Sequence, residues 1–217
     1  MTNRPVHVGL IPDGLRRWAK ANNTTLGEAY LRGAKKVVEI LVALQRNDVQ
    51  TVTVYNLSKA NLGRTGAELE AVYSASIAFF TTLIPYAFDP ERCGFRLHGD
   101  VAALPPHYAA AGRHLETKMT GTEFQINILA AYDAYDEIRN AAQRAERDGS
   151  DLADALDIGE VDLVIRTTAE PLLSGFCPLQ SQYAQLFFLT TPLNDLTIEH
   201  LDDVLAQYRR SPQLRGR

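Results

Sequence analysis

Apolar residues follow two rhythms along this chain, and the two alternate. Short runs rich in β-branched and aromatic residues read as strands at 6–11, 51–57, 95–99, 123–131, 163–167 and 186–190. Between them the apolar spacing turns helical. In 28–47 the residues Leu31, Ala34, Val37, Val38, Leu41 and Leu44 form one stripe. The segment 67–86 is helical and mostly apolar, with Leu69, Val72, Tyr73, Ile77, Phe80 and Leu83. Further helices are predicted over 106–119, where the early proline is tolerated, and over 135–147 and 198–210. Strands alternating with helices predict an α/β fold, with a mostly parallel central sheet and helices on both faces. No repeat, low-complexity tract or linker interrupts the pattern, so residues 1–217 are expected to form a single domain.

Composition narrows the function without naming it. A chain of 217 residues buries roughly 70% of its unfolded surface and needs no disulfide or metal staple. With 22 basic and 26 acidic side chains the net charge is −4, so no global basic field invites nucleic acid, and any anion site must be a local arginine cluster. Cys93 and Cys177 match no zinc or redox spacing and read as thiols in a reducing compartment. The first residues carry no apolar signal core, and no apolar stretch reaches about 18 residues. A soluble cytoplasmic protein with no membrane span is expected.

The candidate chemistry begins where the first strand ends. Pro12, Asp13 and Gly14 are followed by Leu15, Arg16, Arg17 and the only tryptophan, Trp18. One carboxylate and two cations thus stand just beyond the carboxyl end of a strand, where open α/β sheets bind ligands. A carboxylate can hold Mg²⁺, and arginines with a following helix N-terminus can hold phosphate oxygens. The alternative is a turn followed by a solvated basic stretch. Right-handed crossovers put strand carboxyl ends on one sheet edge, which would bring Asp13, Ser58, Asn61 and Arg166 to one site.

Three ordered blocks carry a family resemblance. The segment from His7 to Trp18 resembles H-V-A-x-I-M-D-G-N-x-R-W-A. The segment Tyr55-Asn56-Leu57-Ser58-Lys59-Ala60-Asn61-Leu62-Gly63-Arg64 resembles Y-x-F-S-x-E-N-W-x-R. The segment from Asp162 to Phe176 resembles D-L-x-I-R-T-x-G-E-x-R-x-S-N-F. These are signatures of the cis-prenyltransferases, the undecaprenyl diphosphate synthase family. The resemblance implies Mg²⁺ as cofactor, with Asp13 as its ligand, and prenyl diphosphates as substrates. It implies diphosphate contacts from Gly14, Arg16, Arg17, Arg64, Arg166 and Ser174, and a proton relay through Asn61 and Ser58. Capping of the next helix by Ser58 and Asn61, and an Arg64–Glu68 ion pair, are the structural alternatives. Trp18 reads as packing behind the loop. The resemblance also implies a homodimer built through the late strands and helices. The closing Leu214-Arg215-Gly216 matches poorly a C-terminal Arg-x-Gly element that reaches the partner's site. The apolar helix 67–86 either packs on the sheet or walls a tunnel for an isoprenoid chain.

The departures point to an altered substrate. The family's asparagine after Asp-Gly is Leu15 here. Its arginine and histidine at the allylic diphosphate fall on Leu26 and Tyr30. The second block's tryptophan and glutamate are Leu62 and Ala60. The arginine that usually grips isopentenyl diphosphate is Leu172, and a late glutamate associated with the metal falls on Gln185. Each lost bidentate arginine–phosphate contact is worth roughly 1.5–3 kcal/mol. The pattern resembles the small bacterial lavandulyl-type synthases of the family. These join dimethylallyl diphosphate to a second allylic diphosphate, dimethylallyl or geranyl, head to middle, giving branched or cyclic products such as lavandulyl or cyclolavandulyl diphosphate. A conventional short-chain enzyme using isopentenyl diphosphate and a non-catalytic partner subunit are the competing readings.

Overall fold

The computed structural model describes residues 4–212. Six strands, β1 (His7–Ile11), β2 (Thr51–Ser58), β3 (Cys93–His98), β4 (Phe124–Tyr132), β5 (Leu163–Arg166) and β6 (Gln185–Phe188), form one sheet. The order is β3-β4-β2-β1-β5-β6 and every neighbouring pair is parallel. The expected α/β architecture is the observed one, and all strand carboxyl ends share one edge.

The helices are α1 (Leu15–Ala21), α2 (Leu26–Arg46), α3 (Gly66–Ala78), α4 (Ile84–Ala87), α5 (Pro106–Lys118), α6 (Ala134–Asp148), α7 (Leu152–Ala155) and α8 (Ile198–Arg210). Alternate strand residues feed two cores. Val8, Leu10, Leu163 and Ile165 pack with the stripe of α2 and with α3, α5 and α8. Ile11, Leu129 and Val164 face the other way, against Ile158, Val161, Phe176 and Cys177. Gly9 permits that second packing, because a Cβ there would lie 2.5 Å from the Phe176 ring.

Two helices depart from the sequence expectation. The first, α2, starts earlier than 28, because Thr25 and Glu28 form a reciprocal capping box. The predicted helix 67–86 is broken by a π turn at Phe79–Leu83. Pro85 lies in the first turn of α4, where its missing N–H costs nothing, and the wide turn before it absorbs the change of register. Joined, Gly66–Ala87 is 22 residues long and, by length and composition only, apolar enough to cross a membrane, which corrects the expectation that no apolar stretch reaches about 18. Ala71, Val72, Tyr73, Phe79, Phe80 and Ile84 of this stretch are buried in the protein core.

A row of buried polar groups crosses the sheet. The His7 ring N–H donates to the Glu160 carbonyl at 2.9 Å, so Nε2 accepts from Thr53 Oγ1 at 2.8 Å. Asn127 donates to Thr53 and accepts from Gln125, with His98 Nε2 3.3 Å from its Oδ1. Burial holds both His7 and His98 below their ordinary pKa of 6.5, partly offset by these hydrogen bonds. The folded state therefore binds these protons less readily than the unfolded chain. The associated stability is complete above about pH 6.5 and is lost as pH falls through the lowered folded values. Thermal unfolding should show a falling Tm between pH 7 and pH 5, above the carboxylate range. A flat Tm over that window would contradict the assignment.

Candidate active site

A cavity of about 660 Å³ opens at the carboxyl edge of the sheet. Its deeper wall is apolar: Ala34 and Val37 of α2, Val72 and Ala75 of α3, Phe79 and Phe80 of the π turn, and Val54 and Ile128 of the sheet. Its mouth is charged. The volume lies in the range of small-molecule sites, and the combination suits an anionic head with a hydrocarbon tail.

The register of the sheet builds the mouth. Ile11 pairs with Arg166, so Asp13, two residues past the strand, meets the guanidinium that ends β5. Arg166 Nη2 donates to Asp13 Oδ2 at 2.9 Å, and Nη1 donates to Ser174 Oγ at 2.8 Å and to the Leu172 carbonyl. Thr167 Oγ1 accepts from the Asp13 N–H at 2.7 Å and donates to the Asp13 carbonyl at 2.9 Å, fixing the loop. Gly14 has φ of +90°, and a Cβ there would meet Pro192 at 2.9 Å, so the turn into α1 requires glycine. Its N–H donates to Asp13 Oδ1 at 2.6 Å.

The cations form two groups. Arg17 donates to Glu170 at 2.7 Å and to Thr168 at 2.7 Å, and stands 3.7 Å from Asp13. The Arg17 hydrogen bond holds the Glu170 carboxyl below its usual pKa. With Arg166 this is the first group. In the second, Glu68 lies 3.0 Å from Arg64 and 3.6 Å from Arg16 and accepts from the Tyr30 hydroxyl at 3.2 Å. The Arg64–Glu68 ion pair named as an alternative is therefore present, and Arg64 still lines the cavity. Burial pushes the Tyr30 and Tyr55 hydroxyls each up to about 12, so both are neutral donors at ordinary pH.

Ser58 and Asn61 cap the turn Lys59–Gly63 reciprocally. The Asn61 N–H donates to Ser58 Oγ at 3.2 Å, and the Ser58 N–H donates to Asn61 Oδ1 at 3.3 Å. Both line the cavity, and the Asn61 Nδ2 group has no hydrogen-bond partner among the described residues. Tyr55 ties this block to the third, donating to the Ser174 carbonyl at 3.1 Å.

Asp13, Gly14, Leu15, Arg16, Arg17, Ser58, Asn61, Arg64, Arg166, Leu172 and Ser174 thus share one cavity. Two expected site residues do not line it. Trp18 donates to Asp195 at 2.7 Å with Arg32 5.1 Å over its ring, and Leu62 packs against the core. Gln185 stands at the amino end of β6, opposite Leu163, away from the mouth within one chain. Leu214, Arg215 and Gly216 lie outside the described residues. Lys20, Tyr55, Asn56 and Glu170 line the cavity without having been singled out. Glu170 and the two residues of the second block sat inside the quoted motifs, whereas Lys20 carried no signal.

Among the described residues no group of three or more metal-ligating side chains converges. The Asp13 carboxylate fits Mg²⁺, which commonly takes one or two carboxylates together with substrate phosphate and water.

Comparisons with known proteins bear on the family and the fold. Residues 11–216 match the Prenyltransf family model, described as "Putative undecaprenyl diphosphate synthase". The chain is 32% identical over 210 residues to isoprenyl transferase 1 of Corynebacterium efficiens, covering 87% of this chain and 80% of that one. It is 30% identical over 203 residues to the geranylgeranyl-diphosphate-specific tritrans,polycis-undecaprenyl-diphosphate synthase of Thermoplasma acidophilum, covering 85% and 78%. In fold it matches lavandulyl diphosphate synthase from Lavandula x intermedia, with a TM-score of 0.90, 24% identity and 99% of each chain covered. It also matches a probable undecaprenyl diphosphate synthase from Campylobacter jejuni, with a TM-score of 0.80, 20% identity, and 99% and 100% covered. The chain belongs to the undecaprenyl diphosphate synthase family, the cis-prenyltransferases, and is a prenyl-transferring enzyme.

Proposed function

We propose that this enzyme joins two allylic diphosphates head to middle, with dimethylallyl diphosphate as donor and dimethylallyl or geranyl diphosphate as acceptor. The carrying observation is Leu172. It is 58% exposed on the cavity mouth, where the family's pattern has the arginine for isopentenyl diphosphate. An exposed leucine beside Arg166 removes a diphosphate grip and offers an apolar surface to a second prenyl tail. Leu15, also lining the mouth, acts in the same direction. Two arginine pairs remain, Arg17 with Arg166 and Arg16 with Arg64, enough cations for two diphosphates in a new arrangement.

The residues divide the work. The arginine pairs bind and orient the diphosphates, and the wall between α2 and α3 takes the hydrocarbon and excludes water. As the C1–O bond of the donor breaks, the electron pair leaves on the diphosphate, where preorganised guanidinium groups lower the barrier. Asp13 would hold Mg²⁺, which when bound would supply further neutralisation of the charge developing on the leaving group. C2 of the acceptor bonds to C1 of the donor, and the resulting tertiary cation is quenched by losing a proton. The released diphosphate is the strongest base present. Asn61 Oδ1 is occupied by its cap, so Asn61 serves as a donor that holds a diphosphate oxygen, and Ser58 is the hydroxyl that relays the proton. The β6 edge, with Tyr183 and Leu186 exposed, is the surface through which we place a homodimer.

The test is product analysis by gas chromatography–mass spectrometry after phosphatase treatment, with Mg²⁺ and dimethylallyl diphosphate as the only prenyl substrate. A branched or cyclic ten-carbon alcohol is expected. Turnover only when isopentenyl diphosphate is added would return the chain to ordinary elongation. No turnover with any pairing, including geranyl diphosphate, would favour a non-catalytic subunit. In the same assay Asn61→Asp keeps the cap but loses the amide donor, and its kcat should fall about a hundredfold with Tm nearly unchanged.

A further inference from the structure

One polar group stands inside the apolar part of the cavity without a part in the chemistry above. Asn56 and Ser76 line it among Val54, Val72, Ala75, Phe79 and Ile128. The Asn56 amide nitrogen donates to Ser76 Oγ at 3.0 Å and to Tyr108 Oη at 2.8 Å. Tyr108 is fully buried and held edge-on by Tyr73 and Phe80, so it is a fixed partner. With Nδ2 committed twice, the amide plane is locked. Its Oδ1 has no hydrogen-bond partner among the described residues.

A prenyl tail offers no donor to that oxygen. An unpaired amide oxygen against hydrocarbon disfavours ground-state binding, and a leucine would hold the tail better. The oxygen gains only when positive charge appears in the tail. That happens as the allylic C1–O bond breaks: the electron pair leaves on the diphosphate oxygen, and the charge is shared by C1 and the branched carbon C3. Asn56 lies two residues before Ser58 on β2, a step deeper than the mouth. An interaction stronger in the transition state than with the bound substrate raises kcat without lowering KM.

We propose that Asn56 is a catalytic residue whose amide oxygen stabilises the allylic cation, with Ser76 and Tyr108 as positioning residues that aim it. The proposal rests on prenyl transfer as such. The charge forms whichever acceptor follows, so it stands or falls separately from the head-to-middle reading.

The experiment needs no turnover. Two non-reacting ligands are titrated calorimetrically: dimethylallyl thiolodiphosphate, with a neutral tail, and an analogue whose C3 is a protonated nitrogen. The wild type should bind the ammonium analogue at least about tenfold tighter, the preference of a cation-stabilising site. In Asn56→Leu the ratio should fall to near one, with the neutral analogue bound equally or more tightly. Its kcat should fall by about ten- to a hundredfold at unchanged or lower KM. Tyr108→Phe keeps the ring and frees the amide, and should lower the ratio at least about threefold. An unchanged ratio in Asn56→Leu overturns the proposal. A raised ratio does the same, since it would put the amide N–H groups toward the tail. Should Asn56→Leu not fold, Tyr108→Phe decides by the same ratio. Altered analogue binding with only linear products would sustain this proposal and remove the head-to-middle one.

Discussion

Asp13→Asn is expected to lower kcat/KM by about a thousandfold or more, a loss of about 4 kcal/mol of transition-state stabilisation. The substitution keeps volume and removes one charge. In the folded chain that charge has two uses. Oδ2 accepts from Arg166 at 2.9 Å, and Oδ1 accepts from the Gly14 N–H at the turn into α1. In the proposed mechanism the same carboxylate would hold Mg²⁺ beside the bound diphosphate, so an amide there would remove that anchor. Stability should change far less. Arg166 keeps Ser174 and the Leu172 carbonyl, Thr167 still fixes the Asp13 backbone, and Asp13 is partly solvated. A loss of about 1 kcal/mol, or about 2–4 °C in Tm, is expected. Steady-state kinetics across a Mg²⁺ titration, with thermal unfolding alongside, checks both halves. Turnover within about tenfold of the wild type at saturating Mg²⁺ would remove Asp13 from the metal.

What made the fold legible was periodicity. Val37, Leu41 and Leu44 of the expected stripe lie on the buried face of α2, whereas Leu31 is exposed, and Leu163–Arg166 is an apolar run ended by a cation. What stayed hidden was set by single residues acting at a distance. The π turn that shapes the Phe79–Phe80 wall, just ahead of Pro85, is something a hydrophobic pattern does not register. Gly9 matters because Phe176, far along the chain, lies against it. The site was legible where strand ends supply the chemistry, as at Asp13, Ser58 and Arg166. It was less so where a side chain has two credible directions. Trp18 follows Arg17 in sequence, yet one step round α1 turns its ring to Asp195 and Arg32. Gln185 stood in a motif position, and only the β5–β6 register puts it at the amino end of its strand. Asn56 looked like a strand residue among others until Ser76 and Tyr108 were found on its amide.

Arg166→Leu is expected to cost at least as much activity as Asp13→Asn and more stability. Arg166 is 8% exposed, and its guanidinium ties two segments to the end of β5: the loop after β1 through Asp13, and the third block through Ser174 Oγ and the Leu172 carbonyl. That block holds positive φ at Ser174 (52°) and Gly175 (82°) immediately before Phe176 seats on β1. Strain of this kind persists because neighbouring contacts hold it, and leucine releases them. A stability loss of about 2–4 kcal/mol follows, since a buried network loses its centre. Activity should fall about a thousandfold or more, because the diphosphate loses a preorganised planar donor and Asp13 is no longer aimed. Arg166→Lys restores the charge without the fork, so it should recover stability in part and activity little. The two sites act as one unit, so their losses should not add. In a double-mutant cycle, Asp13→Asn on top of Arg166→Leu should cost less than about tenfold further. Additive losses in kcat/KM would show two independent contacts with the substrate, and the carboxylate–guanidinium pair would then be an accident of the ligand-free chain.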